Sequence, residues 1–223
     1  MTIDFYYMIE SPPCRAVLMT AKHLQISLNL KSLNLAKGEH LSDQFREINP
    51  QHCVPTIVDN GFVLWESRAI MRYLIEKYAS NSDLYPQDLE RRAKINQLLD
   101  FDIGTLYKNQ SNFLNPILEL MPTKKSDEEK FRKSLSILDT ILSKQKFVAS
   151  DALSIADLSI IASLSYAESA EFDFTEFTHV KNWMTMLKTT LSYYDEVNSE
   201  AIKSFTSYLK MKKQEIKEKM ELK

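Results

Sequence analysis

The stretch Asn49–Arg68 constrains this chain more than any other. Thr56-Ile57-Val58 is short and β-branched, Phe62-Val63-Leu64 is a second apolar run, and Asn60-Gly61 lies between them. Asn-Gly is the strongest short-range hairpin signal, because a type I′ turn needs positive φ at both central residues. Pro55 stands where a proline is tolerated, at the beginning of a strand. After Trp65 the apolar residues of Ile70-Met71-Arg72-Tyr73-Leu74-Ile75 change to helical spacing. Ser67 then falls in the first turn of a helix, where free N–H groups and the macrodipole favour an anion. A rigid proline, a strand edge and a helix start in one place suit an extended, peptide-like ligand carrying a carboxylate. The same residues also describe an ordinary hairpin followed by a capped helix.

Upstream, Ile3–Met8 reads as an aromatic-rich strand closed by Glu10-Ser11-Pro12-Pro13, and proline suits the first turn of the helix that follows. Val17, Ala21 and Leu24 carry that helix, Leu28–Lys31 alternates as a strand, and a short helix falls near Ser42–Ile48. With the hairpin and a helix to about Tyr78, the order is β-α-β-α-β-β-α. That order predicts a mixed four-stranded sheet with helices on both faces. Ala79–Gln87, small and polar with Pro86, marks a boundary, so residues 1–80 form one domain.

Beyond it no strand is predicted, in keeping with only 3 glycines. Ile95, Leu99 and Leu106 share one stripe of a long helix that ends or bends before Pro116, and Asp102 lies on that stripe. Ser126-Asp127-Glu128-Glu129 and Ser154-Ile155-Ala156-Asp157 both read as capping-box starts. Leu158–Ala167 is apolar nearly all round and predicts the buried centre of an all-helical domain over residues 88–211. His179–Leu191 and Tyr193–Leu209 add two helices, and 212–223 is a charged tail, a solvated or frayed helix.

Net charge is −2, from 28 basic and 30 acidic residues, which gives no basic surface for nucleic acid or membrane. Two cysteines, Cys14 and Cys53, make no disulfide framework and point to a reducing compartment. The N-terminus lacks the pattern of a signal peptide, and no apolar run approaches the ~18–20 residues of a membrane span. Asn109-Gln110-Ser111 is then a chance sequon, and a cytoplasmic location is expected. The four histidines show no metal-ligand spacing, so no metal is expected, and no phosphate loop or Gly-x-Ser-x-Gly elbow is present.

Ser11-Pro12-Pro13-Cys14 has Cys-x-x-Cys spacing between a strand and a helix, with serine in the nucleophile's place. Serine there performs no redox chemistry, but it can donate a hydrogen bond to a thiolate brought by a ligand. Cys14 reads as a packed residue. Tyr6 and Tyr7, at the strand's end, could instead donate a phenolic proton or simply pack.

Taken together, Tyr6-Tyr7, Ser11-Pro12-Pro13-Cys14-Arg15, Gly38-Glu39-His40-Leu41, Asn49-Pro50-Gln51-His52, Val54-Pro55-Thr56, Trp65-Glu66-Ser67-Arg68, Leu84-Tyr85-Pro86 and Phe101–Tyr107 resemble the cytosolic glutathione transferases. The resemblance runs from Ile3 to about Leu209 and is closest to the insect delta class. Cys14-Arg15 and the Arg68 that follows Glu66-Ser67 favour delta over epsilon.

The resemblance implies a thioredoxin-like α/β N-terminal domain, an all-α C-terminal domain, a homodimer, and glutathione as co-substrate with no other cofactor. Pro55 would be a cis-proline, with Val54 pairing to the cysteinyl backbone. Glu66 and Ser67 would hold the γ-glutamyl end, with Arg68 supporting it. His40 and His52 would face the glycyl end, and Asp102 would approach the neighbouring subunit's site. Ser11 would be catalytic. A free thiol, pKa about 8.5, is only a few per cent thiolate near neutrality. A hydroxyl bond and a helix start both favour the charged form. Tyr107, Phe113 and Phe205 would line a pocket for hydrophobic electrophiles, as in detoxification of xenobiotics.

Glu10 and Ser150 replace glycines common in that family, and a carboxylate beside Ser11 would oppose thiolate formation. Three alternatives stand beside the serine enzyme: a binding protein for hydrophobic ligands, a thiol-transferase using Cys14, and catalysis by Tyr7.

Overall fold

The structure, a computed structural model, describes residues 2–221. The first half contains β1 (Ile3–Tyr7), α1 (Pro12–His23), β2 (Leu28–Ser32), α2 (Asp43–Ile48), β3 (Thr56–Asp59), β4 (Phe62–Trp65) and α3 (Ser67–Tyr78). This is the expected element order. The four strands form one sheet in the order β2-β1-β3-β4. β1 runs parallel to β2 and antiparallel to β3, and β4 returns antiparallel to β3 through the Asn60-Gly61 turn. Asn60 and Gly61 have φ of 50° and 85°, as a type I′ turn requires.

Alternation along β1 sends Ile3 and Phe5 into the core on one face and Tyr6 to the other. There Tyr6 meets Phe45 of α2, with ring centroids 5.4 Å apart. Ser42 caps α2, its hydroxyl accepting from the Phe45 N–H at 3.3 Å. At the far end of the hairpin the buried Asp59 accepts from Tyr73 (2.7 Å), Tyr78 (2.6 Å) and Lys77 (2.9 Å), tying the end of α3 to β3. Burial alone would raise this carboxyl, but those three donors hold it at about 2.

The second half is helical: α4 (Leu89–Phe101), a π turn (Asp102–Leu106), α5 (Tyr107–Leu118), α6 (Lys125–Leu142), α7 (Ile155–Ser169), α8 (Thr178–Thr190) and α9 (Tyr194–Glu221). Ile95, Leu99 and Leu106 are buried as their stripe predicted. The single long helix, however, is interrupted by the π turn. Pro116 lies inside α5, which ends two residues later at Leu118. At Ser126 the structure corrects the expected capping box. The helix begins at Lys125 with Lys124 in the cap position, so Ser126 lies within the first turn and makes no cap bond. α9 continues through the residues expected as a charged tail, helped by Lys213, which donates to the Ala170 carbonyl at 2.6 Å. Positions 222–223 of that tail lie outside the described residues. No described helix is long and apolar enough to cross a membrane.

α7 is the predicted centre, buried along nearly its whole length and packed on α1, α4, α5 and α9. Its start is organised by Asp157. One oxygen accepts from the Val148 N–H (2.9 Å) and the Trp183 indole (3.1 Å). The other accepts from the Ser154 N–H and hydroxyl (both 2.9 Å). Burial pushes this carboxyl up to about 6 against those donors. Asp157→Ala strands three buried N–H groups and should cost about 3–5 kcal/mol in urea denaturation at pH 7. The folded carboxyl titrates above the ~3.9 of an unfolded aspartate. Its own contribution is therefore full below pH ~4 and declines as pH rises towards 6. Asp157→Asn should abolish that slope.

Candidate functional site

Four segments leave the sheet at one end. Tyr6 pairs with Thr56 and Thr56 with Trp65, while Tyr7 lies beside Ser32 in parallel register. The loop after β1, the loop after β2, the residues before β3 and those after β4 therefore emerge together. They bring the starts of α1 and α3 to the same end. Each start presents free backbone N–H groups and the positive end of a helix dipole.

Ser11 occupies the cap position of α1, with extended backbone and no side-chain cap bond, so its hydroxyl does not accept from the backbone N–H groups of that helix start. Its backbone is fixed on both sides: the N–H donates to the Met8 carbonyl (3.1 Å), and its carbonyl accepts from Cys14 and Arg15 (both 3.1 Å). Cys14, fully buried one turn on, has its thiol pushed up to about 11 by burial, against a hydrogen bond with the Ser11 side chain. A thiol held that high is a poor nucleophile near neutrality.

Across the sheet the Val54–Pro55 peptide is cis. Pro55 is buried while Val54 is half-exposed before β3. His52 (φ 43°) and Glu66 (φ 68°) both hold left-handed backbone, a conformation rare for residues other than glycine. Such conformations persist only where their surroundings impose them, and they concentrate at ligand sites. Glu66 is exposed at the cap of α3, and Ser67 is its buried first residue. His40 and His52 face each other with ring centroids 6.2 Å apart, and the His40 Nδ1 is buried without a partner. The structure thus brings Ser11, Val54, Pro55, Glu66 and Ser67 to one end of the sheet.

Arg68 and Asp102 form a buried ion pair. The same carboxylate oxygen accepts from Ser159 (2.6 Å) and Ser163 (3.2 Å) of α7, and Arg68 donates onward to the Ser67 hydroxyl at 3.4 Å. Asp102 is 0% exposed within the one chain, which corrects the expectation that it reaches a neighbouring subunit. The π turn places it against Arg68 instead, so its position on an apolar stripe reflects a pairing between the two halves of the chain.

Sequence reading missed Arg15. Its guanidinium is 1% exposed and donates to the carbonyls of Ile9 (3.0 Å) and Glu10 (3.1 Å) and to the Ser165 hydroxyl of α7. It clamps the loop that ends in Ser11. Ser159, Ser163 and Ser165 were missed as well. They look like small fillers of an apolar helix, and their only signal was the i, i+4 spacing of 159 and 163.

A cavity of about 490 Å³ opens beside the loop after β1, bounded by Met8, Ile9 and Glu10, by 32–36, and by Ser204, Phe205 and Tyr208 of α9. Of the three residues expected in an electrophile pocket, Phe205 is among those lining this cavity. Phe113 is not: it is 8% exposed and packs on Phe131 and Phe172 in the helical core, where an apolar ring on the inner face of α5 is driven. Tyr107 lies outside the lining, within electrostatic reach of Asp102, Arg68 and Arg15, its phenol raised chiefly by burial.

Comparison with known proteins agrees with this geometry. Residues 5–82 match the model of a glutathione S-transferase N-terminal domain, and 108–189 that of a glutathione S-transferase C-terminal domain. A delta-class glutathione transferase of Nilaparvata lugens is 43% identical with a TM-score of 0.91, over 94% of this chain and 99% of that one. A glutathione transferase of Bombyx mori is 38% identical with a TM-score of 0.89, over 93% and 98%. An epsilon-class enzyme of the housefly Musca domestica is 34% identical with a TM-score of 0.88, over 94% and 98%. Matched in both halves by the family's models and along nearly its whole length by these enzymes, the chain belongs to the glutathione S-transferase family.

Proposed function

We propose that this transferase conjugates glutathione to hydrophobic electrophiles by a serine-stabilised thiolate. The observation that carries the reading is the Ser11 hydroxyl at the start of α1, which caps no backbone N–H of its helix, on the sheet end shared with the Val54–Pro55 peptide and the start of α3. Glutathione is the co-substrate. Its cysteinyl backbone pairs with Val54, its γ-glutamyl end lies at Glu66 and Ser67, and its glycyl carboxylate faces His40 and His52. Arg68 and Asp102 act behind the site, holding the first turn of α3 in place.

A hydroxyl has one donor and two acceptor sites. With Cys14 a protonated thiol, Ser11 can accept from it and still donate to a ligand sulfur. That donation, with the helix dipole, favours the thiolate. The thiol proton passes to solvent, a carbon–sulfur bond forms at the electrophile, and the leaving group departs with its electron pair. No bond to the enzyme is made. A cytoplasmic homodimer completes the proposal, the second copy covering apolar side chains such as Phe62 and Leu89, which are 49% and 79% exposed.

The direct test is glutathione conjugation to chlorodinitrobenzene from pH 6 to 9. Ser11→Ala should lower kcat/KM on the order of a hundredfold near pH 6.5, as for loss of one preorganised donor. The deficit should narrow towards pH 9, where the free thiol ionises unaided. Cys14→Ala and Tyr7→Phe should retain most activity, and an unaffected Ser11→Ala would move the role to one of them. Glutathione binding by wild type without turnover would replace the enzyme by a binding protein.

Asp102→Ala should leave a buried, unpaired guanidinium and cost about 3–5 kcal/mol in denaturant unfolding. Asp102→Asn, which keeps the shape, should raise KM for glutathione more than it lowers kcat, measured by steady-state kinetics.

A further inference from the structure

We infer that Glu10 sets the charge selectivity of the electrophile cavity, admitting neutral and cationic planar electrophiles in preference to anionic ones. The inference rests on the transferase reading above and concerns the same site. Of the residues lining the cavity, Glu10 alone carries a formal charge; the others are apolar, hydroxyl-bearing or amide. Phe205 and Tyr208 of α9 stack with centroids 6.1 Å apart and planes 17° apart, and Tyr166 lies 5.3 Å from Phe205. This aromatic wall suits a flat ring. A carboxylate on an otherwise uncharged wall, with protein on one side in place of water, is screened less than in open water, so it repels an anion and attracts a cation more strongly there.

The neighbouring cations do not reverse that field. Arg15 is buried behind the loop, committed to two carbonyls and Ser165, and does not line the cavity. Lys212 lies 5.6 Å from the centre of the Tyr208 ring and is paired with Glu215 at 3.6 Å. Glu10 is held in place by its own backbone, whose carbonyl Arg15 grips, while no ion pair among the described residues engages its carboxylate.

Glu10 also bears on the thiol of glutathione, but that effect is common to every electrophile. Selectivity between electrophiles of one ring system isolates the effect on the second substrate. The experiment measures kcat/KM with glutathione for a chlorodinitrobenzoate anion, its neutral methyl ester and its cationic choline ester, each divided by its uncatalysed rate. Wild type and Glu10→Gln are compared at one pH, in low and high salt. Wild type should disfavour the anion relative to the neutral ester. Glu10→Gln should raise the anion-to-neutral ratio about tenfold, equivalent to ~1.4 kcal/mol, and Glu10→Ala should do the same. High salt should raise the ratio in wild type but not in Glu10→Gln. Equal ratios in wild type and both variants, with the neutral ester turned over, would overturn the inference and leave the transferase reading standing. No turnover of the neutral ester or of chlorodinitrobenzene by wild type would overturn both.

Discussion

The buried pairing of Arg68 with Asp102 is the interaction on which the site depends. Two charges taken out of water are tolerable only when they are paired and their remaining groups are hydrogen-bonded. Asp102 meets that condition in part, drawing Ser159 and Ser163 of α7 onto the oxygen that faces Arg68, while its other oxygen and the Arg68 Nε are buried without a partner. Arg68 in turn reaches Ser67, the first residue of α3. The position of the α3 start is thus set by the central helix of the other half of the chain. The two halves share one polar network as well as an apolar interface.

Arg15 repeats the arrangement at the other helix start. Its guanidinium ties the backbone at Ile9 and Glu10 to Ser165, two residues along α7 from Ser163. One buried helix therefore supports both helix N-termini that meet at the end of the sheet, through hydroxyls on an otherwise apolar surface. Asp157 fixes the beginning of that helix by gathering donors from Val148, Ser154 and Trp183. Rigid placement matters because a hydroxyl that stabilises a thiolate acts only over hydrogen-bond distance, and about an ångström of slack removes most of its effect.

Much of this was legible before the structure. The Asn60-Gly61 turn, the proline entry at Pro55, the strand–helix alternation and the apolar α7 each followed from a local rule. Ser11 stood out because serine replaced a nucleophilic cysteine at a helix start. Phe113 was misread because an aromatic residue looks the same in sequence whether its helix face meets a cavity or the core. Ser126 was misread because Ser-x-x-acid is a necessary pattern for a capping box and not a sufficient one; the helix had already begun at Lys125, after an extended Lys124. Asp102 was noticed as anomalous but given the wrong neighbour.

The sequence by itself determined the order and kind of the elements, the cap at Ser154 and the hairpin register. These depend on residues close in the chain, whose turn chemistry and periodicity act locally. Only the tertiary structure decided where the charges went. Arg15 meets Ser165 across 150 positions, Arg68 meets Asp102 across 34, and Glu10 comes to share a cavity with Phe205 and Tyr208 of the last helix. No local preference specifies such pairings. They follow from the cost of burying a charge alone, which is felt only once the two halves have closed on each other.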